Sequence, residues 1–240
     1  MFGGQITVLG IIPARGGSKS IPGKNIAMVA GKPLIAYTIQ AALDAKSLGR
    51  VVVSTDSEEI AEVARSFGAE TPFLRPPELA QDDTPGIEPV IHAVRWLDEH
   101  ESYRPDYVMV LQPTSPLRAT EDIEAAVQLA RERQADSVVS VCTAQQHPYW
   151  MKRVTKDGKL VDFLQTDKAY TSRQSLPSVY ALNGAIYLAR REILLERKTF
   201  YTDRTYAYIM PEERSLDVDI KLDLKLAELL IRERACGQTR

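Results

Sequence analysis

The chain has 240 residues, of which 44% are hydrophobic and 26% are charged, a balance typical of folded globular proteins. This composition argues against a disordered chain and a collagen-like repeat, and no apolar stretch approaches the ~20 residues that a membrane helix needs. The 30 basic and 32 acidic residues give a formal charge of −2. Such a chain has no overall positive field for nucleic acid or anionic lipid, so any anionic ligand must be held by a local cluster.

The cysteine content and the N-terminus bear on cellular location. The two cysteines, Cys142 and Cys236, are too few for a disulfide framework and lack metal-ligand spacing. The short apolar run near the N-terminus has neither a preceding basic segment nor a signal-peptide cleavage pattern. We therefore expect a cytoplasmic protein whose residues 1–240 form one domain.

Buried strands alternate with amphipathic helices over most of the chain. Apolar periodicity predicts strands over Ile6–Ile12, Arg50–Ser54, Tyr107–Leu111 and Ser137–Val141, and helices over Pro33–Ala45, Glu58–Phe67, Val90–Leu97 and Thr120–Arg133. This alternation predicts an α/β fold with a mainly parallel sheet and helices on both faces. In such folds ligands bind at the carboxyl ends of the strands.

The alternation breaks between His147 and Leu182 into short, proline-punctuated pieces, with a hairpin turn predicted at residues 156–159. We call this inserted segment, about residues 145–182, the arm. It is too short to bury a core of its own, so we expect it to pack on a partner such as a second subunit. The later predicted elements are strands over Ala185–Ala189 and Tyr206–Met210 and a helix over Lys221–Arg234.

A basic, glycine-rich loop, residues 12–25, follows the first strand. It holds three cations and three glycines: Arg15, Lys19, Lys24, Gly16, Gly17 and Gly23. Glycines let backbone N–H groups approach an anion, Arg offers a fixed fork of donors and Lys a mobile charge, a combination that suits polyphosphate. The loop matches neither the Walker nor the Gly-x-Gly-x-x-Gly pattern, and the alternative is a solvated surface turn.

Two carboxylates near the C-terminus, Asp217 and Asp219, flank Val218. On an extended chain this alternation points both carboxylates to one side. Adjacent oxygen ligands suit Mg²⁺, which typically takes one or two carboxylates together with substrate phosphates. The alternative is that Asp219 caps the following helix and Asp217 is solvated.

Polar residues also follow two predicted strands. Residues 112–115 could present Gln112, Thr114 and Ser115 to a polyhydroxylated substrate, or could form a turn that caps the next helix. Residues 54–57, Ser-Thr-Asp-Ser, are interpreted as a helix N-cap. The three histidines show no metal-ligand spacing, and His92 is expected to be structural.

An ordered set of motifs runs from about residue 11 to 223: PARGGSKSIPGKN, VSTDSEEIAEVARSFGAE, LRPPELAQDDTP, LQPTSPLR, SVVSV, RQSLP, NGAIY and SLDVDI. Together they resemble the acylneuraminate cytidylyltransferase family, also called CMP-sialic acid synthetases. The resemblance implies a Rossmann-like nucleotidyltransferase core and a homodimer whose arm reaches over the neighbour's active site. It also implies that CTP and a nonulosonic acid react to give a CMP-sugar and pyrophosphate, with Mg²⁺ as cofactor and no nucleic acid or membrane as partner.

The resemblance places the nucleotide on the first half of the chain. The residues implied to bind the triphosphate are Arg15, Gly16, Gly17, Ser18 and Lys24. Those implied to contact the cytidine are Asn25 and Arg75.

The sugar is implied to lie on residues from the middle of the chain. Gln112 would hold the sugar, and its acyl pocket would be lined by Tyr187, Phe200 and Tyr201. Arg173, in RQSLP, matches an arginine that the arm brings toward the sugar carboxylate bound by the partner subunit.

The implied catalytic residues are Arg15, Lys24, Asp217 and Asp219, with the two aspartates as the Mg²⁺ ligands. Attack of a hydroxyl on the α-phosphate builds charge on phosphate oxygens, which cations and a metal stabilise. A metal could also acidify the hydroxyl, which would account for the lack of a visible histidine base.

One position departs from the family pattern. Sialic acid synthetases often carry an arginine two residues before Asn-Gly-Ala-Ile-Tyr, where this chain has Ala181. One contact to the sugar carboxylate or a hydroxyl is then either missing or supplied from elsewhere, such as by Lys152 in the arm. A related sugar such as legionaminic acid becomes a candidate beside N-acetylneuraminic acid. The alternatives are a sugar-1-phosphate nucleotidyltransferase, a KDO-type enzyme, whose loop has Ser-Thr-Arg in place of Gly-Ser-Lys, and a non-catalytic nucleotide-sugar binding protein.

Overall fold

A computed structural model of the chain describes residues 6–165 and 172–237. The strands in chain order are β1 (Val8–Pro13), β2 (Met28–Val29), β3 (Lys32–Pro33), β4 (Arg50–Ser54), β5 (Tyr107–Leu111), β6 (Ser137–Thr143), β7 (Lys152–Val154), β8 (Leu160–Asp162), β9 (Tyr180–Arg190) and β10 (Thr205–Ile209). The α-helices are α1 (Leu34–Leu43), α2 (Glu58–Ser66), α3 (Glu88–Glu101), α4 (Thr120–Arg133), α5 (Arg191–Arg197) and α6 (Lys221–Gly237).

The central sheet has six strands in the order β10-β6-β9-β5-β1-β4. Strand β1 runs parallel to β4 and β5, and β10 runs parallel to β6. Strand β9 is antiparallel to both of its neighbours, β5 and β6. The predicted α/β fold with a mainly parallel sheet is confirmed, and the one reversed strand brings the start of β9 to the edge where β5 ends.

Helices cover both faces of the sheet, as predicted. The side chains of strand β1 pack into two apolar clusters, one on each face. Val8 and Ile12 pack in the cluster formed with α1, α2 and α4. Leu9 and Ile11 pack in the cluster formed with α3 and α5. A strand buried on both faces has no polar alternation. Within the described residues, no helix is both long and apolar enough to cross a membrane.

A third, smaller apolar cluster joins a segment near the start of the chain to a segment near its end. It consists of Ile21 of the basic loop, Val29, Leu34, Val218 and Ala227. Because these side chains come from the first 34 residues and the last 23, their packing ties the segment before α6 to the loop after β1. This cluster is the structural reason why distant parts of the sequence meet at one site.

Several predicted boundaries need correction. Strand β9 begins at Tyr180 and not at the predicted Ala185, so residues 180–182 at the end of the predicted arm already belong to this strand. Residues 180–182 are exposed, although they pair with β6, and therefore lack the apolar signal of a buried strand. The periodicity did not predict α5, which is only seven residues long. It predicted Pro33 as the first residue of α1, whereas Pro33 is the N-cap.

Candidate active site

A cleft of about 680 Å³ opens where β1 and β5 end. Most of the residues that the sequence assigned to the site line it: Arg15, Ser18, Lys24, Asn25, Arg75, Gln112, Tyr187, Phe200 and Asp219. The cleft therefore lies at the carboxyl ends of parallel strands, where the fold class leads us to expect a ligand.

The loop after β1 is fastened to the end of β4. The Gly16 N–H donates a hydrogen bond to Asp56 Oδ1 at 2.9 Å. A Cβ at Gly16 would lie 3.1 Å from the Cβ of Ser57, so glycine permits this close approach. The side chain of Asn25, predicted to contact the cytidine, donates to the Arg15 carbonyl at 2.9 Å and so also shapes the loop.

Asp56 also faces Arg75. The guanidinium Nη2 of Arg75 lies 3.4 Å from Asp56 Oδ1, and the Arg75 N–H donates to the Thr55 carbonyl at 2.7 Å. Burial lowers the pKa of Arg75, and the Asp56 carboxylate opposes that shift. Ser57 accepts from the Ile60 N–H and is the predicted N-cap of α2, whereas the neighbouring Asp56 contacts Gly16 and Arg75.

Lys24 joins the basic loop to the C-terminal aspartates. Its Nζ donates to the Val218 carbonyl at 2.9 Å and to Asp219 Oδ1 at 3.3 Å. The Val218 N–H in turn donates to the Thr114 carbonyl at 2.8 Å. Because the Val218 side chain is fully buried, this residue anchors the two aspartates that flank it.

The helix that follows is capped by Asp223 and not by Asp219. The N–H groups of Asp219 and Ile220 both donate to Asp223 Oδ2 at 2.8 Å. The Asp219 carboxylate, 74% exposed, is therefore left for Lys24 and the cleft.

Asp217 lies deeper, beside Gly184 and Gln112. A Cβ at Gly184 would be 3.3 Å from Gln112 Oε1 and 3.6 Å from Asp217 Oδ2, and the φ of +72° there favours glycine. Burial raises the pKa of Asp217, which a hydrogen bond from Thr114 counteracts. Its Oδ1 is buried and finds no hydrogen-bond partner within the described part of the chain.

The turn after β5 contributes residues 112–114 to the lining of the cleft and does not cap α4. The Thr114 hydroxyl lies 3.4 Å from Gln112 Oε1. The cap of α4 is Asp122, whose Oδ2 accepts from the Ala119 N–H at 2.9 Å. The capping alternative for Thr114 and Ser115 is therefore wrong.

Two aromatic rings form an apolar part of the cleft lining. The ring centroids of Tyr187 and Phe200 lie 5.3 Å apart, and Val110 lines the cleft beside them. Burial raises the pKa of Tyr187, and Tyr201 adds to the shift. Tyr201 itself is 53% exposed and is not among the residues that line the cleft, so its place in an acyl pocket remains a prediction.

The family model described as Cytidylyltransferase matches residues 9–239. The chain belongs to this family.

Individual relatives cover most of this cytidylyltransferase. The CMP-N,N'-diacetyllegionaminic acid synthase of Legionella pneumophila is 39% identical, over 93% of this chain and 96% of the relative. The N-acylneuraminate cytidylyltransferase of Escherichia coli is 38% identical, over 92% of this chain and 51% of the relative. A solved CMP:2-keto-3-deoxy-manno-octonic acid synthetase complexed with CTP has a TM-score of 0.69 at 20% identity, over 95% of this chain and 99% of that one, and so shares the fold.

Two predicted residues of this cytidylyltransferase are not tied to the cleft. A Cβ at Gly17 would have no described heavy atom within 4 Å beyond its chain neighbours, so no close contact requires glycine there. Arg173 begins a single turn, Arg173–Ser175, in the arm, and its side chain is outside the described residues, as are arm residues 166–171. The predicted contact between Arg173 and a sugar carboxylate thus remains a prediction.

An acidic residue that the sequence reading missed lies between the cations of the basic loop. Asp82 pairs with Arg15 at 2.8 Å and with Lys19 at 2.5 Å, and hydrogen bonds from Lys19 and Arg15 lower the pKa of Asp82. The motif that contains Asp82 was recognised, but its partners are more than 60 positions away. No local pattern could have revealed that contact.

Proposed function

We propose that this cytidylyltransferase transfers the CMP group of CTP to a nonulosonic acid and releases pyrophosphate. The observation that carries the proposal is the meeting of Lys24 and Asp219 in one cleft with the loop of Arg15. The cations suit a triphosphate and the carboxylates suit a divalent cation, and the same cleft offers an amide and two aromatic rings to a sugar.

One N–H donor of the Lys24 ammonium remains available to the nucleotide. Its ammonium carries three N–H donors, of which two are used by the Val218 carbonyl and Asp219. The third can donate to a phosphate oxygen while the other two hold the ammonium in place. Arg15, which also lines the cleft, can add its planar fork of donors.

The two aspartates fit the proposed Mg²⁺ cofactor. Both supply the hard carboxylate oxygens that this ion takes, and the buried, unpartnered Oδ1 of Asp217 is an atom that a cation would satisfy. Bound Mg²⁺ would neutralise phosphate charge and acidify a hydroxyl near it. Lys24 would hold Asp219 in position for this role.

The proposed reaction is a single displacement at phosphorus. The anomeric oxygen of the acid sugar forms a bond to the α-phosphorus, and the bond from that phosphorus to the bridging oxygen of the β-phosphate breaks. The hydroxyl proton leaves to solvent, and pyrophosphate carries away the negative charge. Arg15 and Lys24 would stabilise the charge that develops on the phosphate oxygens.

Legionaminic acid is the substrate we propose first. The relative from Legionella pneumophila, which is named for that sugar, matches this chain nearly end to end. Ala181 supplies no cation, and Lys152, the suggested substitute, pairs with Asp162 across the β7–β8 ribbon. Gln112 with Tyr187 and Phe200 would then carry most of the sugar recognition.

The arm supports the proposed homodimer. All residues of β7 and β8 are exposed, including Val154 and Leu160, which are 71% and 70% exposed. Phe163, beyond β8, is 53% exposed. A two-stranded ribbon with an uncovered apolar surface is at best marginally stable in water, and a second subunit would cover it.

A cytoplasmic location is also proposed, in keeping with the free thiols of Cys142 and Cys236. Neither cysteine is part of the proposed chemistry.

The experiment is pyrophosphate release from CTP with Mg²⁺ and, in separate reactions, N,N'-diacetyllegionaminic acid, N-acetylneuraminic acid, KDO and a hexose 1-phosphate. We expect rapid release with one of the first two acids and the fastest with the legionaminic acid. Release only with the sugar phosphate or KDO would contradict the proposed substrate class. Tight CTP binding without release from any mixture would indicate a binding protein.

A further inference from the structure

Arg118 is a buried cation that the proposed chemistry does not use. It lies in the turn between β5 and α4, is only 3% exposed, and does not line the cleft. Its Nη1 donates to the Gln112 carbonyl at 3.1 Å and to the Ala185 carbonyl at 2.8 Å. Burial lowers the pKa of Arg118, and the charge of Asp122 opposes that shift.

The charge of Arg118 is not matched by a direct ion pair in the described structure. Asp122 accepts two hydrogen bonds from Arg214, one from Tyr208 and one from the Ala119 N–H. The Nε and Nη2 of Arg118 find no hydrogen-bond partner within the described residues. A buried charge left in this way costs stability that an apolar side chain of similar size would not. The role of Arg118 must therefore lie in its two hydrogen bonds to backbone carbonyls.

Those contacts bridge two strands just past the point where they separate. The last pair of the β5–β9 ladder is Leu111 with Ile186, so Gln112 and Ala185 face each other one step beyond it. Their carbonyl oxygens are both acceptors and cannot bond to each other. The Nη1 of Arg118 donates to both and so fixes the separation of the two backbones. The Gln112 carbonyl also accepts from the Ser115 N–H at 3.3 Å, a contact within its own turn that does not reach β9.

This bridge sets the position of the sugar side of the cleft. Gly184 precedes Ala185 and lies beside the side chains of both Gln112 and Asp217. The Thr38 hydroxyl also donates to the Gln112 carbonyl, at 3.3 Å. The backbone of Gln112 is thus held from two sides while its amide is directed toward the cleft.

We infer that Arg118 is a positioning residue that aligns the Gln112 amide with the acid sugar. The inference rests on the proposed function. It makes Arg118 a determinant of sugar affinity that acts through the backbone and leaves the nucleotide side of the cleft untouched.

The test compares Arg118→Met with Arg234→Met, measuring KM for the acid, KM for CTP and the thermal midpoint. Arg234 is a matched control because its Nη1 also donates to a carbonyl of this turn, that of Leu117 at 2.9 Å, but not to Gln112. We expect Arg118→Met to raise the KM for the acid about tenfold and to leave the KM for CTP nearly unchanged. Arg234→Met should lower the thermal midpoint without this selective effect.

A double-mutant cycle separates positioning from general destabilisation. On a Gln112→Ala background, Arg118→Met should change the KM for the acid by less than about twofold, because its target is already gone. If Arg118→Met does not fold, Arg118→Lys carries the same cycle, and its retained donors should preserve part of the acid affinity. Equal rises in both KM values, or full additivity with Gln112→Ala, would overturn the inference. A wild-type protein that is inactive with every acid would instead refute the proposed function, and this role with it.

Discussion

Lys24 and Asp219 are separated by 195 positions in the sequence and form an ion pair, with Lys24 Nζ 3.3 Å from Asp219 Oδ1. The pair is possible because Ile21 and Val218 are buried in the same apolar cluster. Packing of apolar side chains thus places the cation proposed to bind the triphosphate beside the carboxylate proposed to bind Mg²⁺. The proposed chemistry depends on this contact more than on any other.

Replacement of Asp219 by Asn should reduce turnover at least about 100-fold, because a neutral amide cannot balance a divalent cation at the reacting phosphates. The measurement is pyrophosphate release at saturating CTP, acid and Mg²⁺. Asp203→Asn, which alters an exposed aspartate outside the cleft lining, is the control and should keep the wild-type rate. Near-normal turnover of Asp219→Asn would remove this residue from the proposed catalytic set.

Replacement of Asp56 by Ala should raise the KM for CTP by roughly 10- to 100-fold, since hydrogen bonds to a charged group contribute about 1.5–3 kcal/mol. Asp56 accepts from the Gly16 N–H and faces Arg75, so its loss loosens both the phosphate loop and the predicted cytidine contact. Steady-state kinetics with CTP as the varied substrate provide the check. Asp44→Ala, at the end of α1, should not change this KM. An equally unaffected Asp56→Ala would show that Asp56 has no part in CTP binding.

His92 should make the protein less stable as the pH falls below about 6.5, the ordinary value for histidine. Burial lowers the pKa of His92, and the nearby charge of Arg75 lowers it further, while Glu78 and Glu99 act in the opposite direction. Below pH 6.5 the unfolded chain therefore binds more protons at this site than the folded one, so stability falls with pH until the folded group also titrates.

The measurement is urea unfolding of the wild type and of His92→Phe at pH 7 and pH 5. Phenylalanine keeps an aromatic ring against Phe73, whose centroid is 5.0 Å from that of His92. The variant should lose less stability between the two pH values than the wild type. The same loss in both proteins would contradict the assignment.

Phe163→Asp should convert the proposed dimer into a monomer, because it places a charge on the apolar surface of the arm. Light scattering coupled to gel filtration gives the mass in solution. Leu222→Asp is the matched control, since Leu222 is 67% exposed on α6, away from the arm, and should leave the dimer intact. A monomeric wild type would contradict the proposed assembly directly.

The core of this fold could be predicted from sequence because its strands are buried on both faces. The runs at β1, β4 and β5 are uninterrupted by polar residues, and the carboxyl ends of parallel strands define where a ligand binds. The motifs then supplied most of the residues that line the cleft.

The other features of the site and of the sheet could not be predicted, because they depend on contacts or exposure that no local sequence pattern encodes. Asp56 sits inside a sequence that looks like a helix cap, yet its carboxylate binds a loop 40 positions earlier. Asp82 and Arg118 similarly have partners brought to them by the sheet. The start of β9 escaped detection because residues 180–182 are exposed and carry no burial signal.

An experimental structure of the protein with CTP and Mg²⁺ would test the central proposal most directly. The triphosphate should contact Arg15 and Lys24, and the cation should bridge its oxygens to the carboxylates of Asp217 and Asp219. A nucleotide bound away from Lys24, or a cation that touches neither aspartate, would contradict the proposed site.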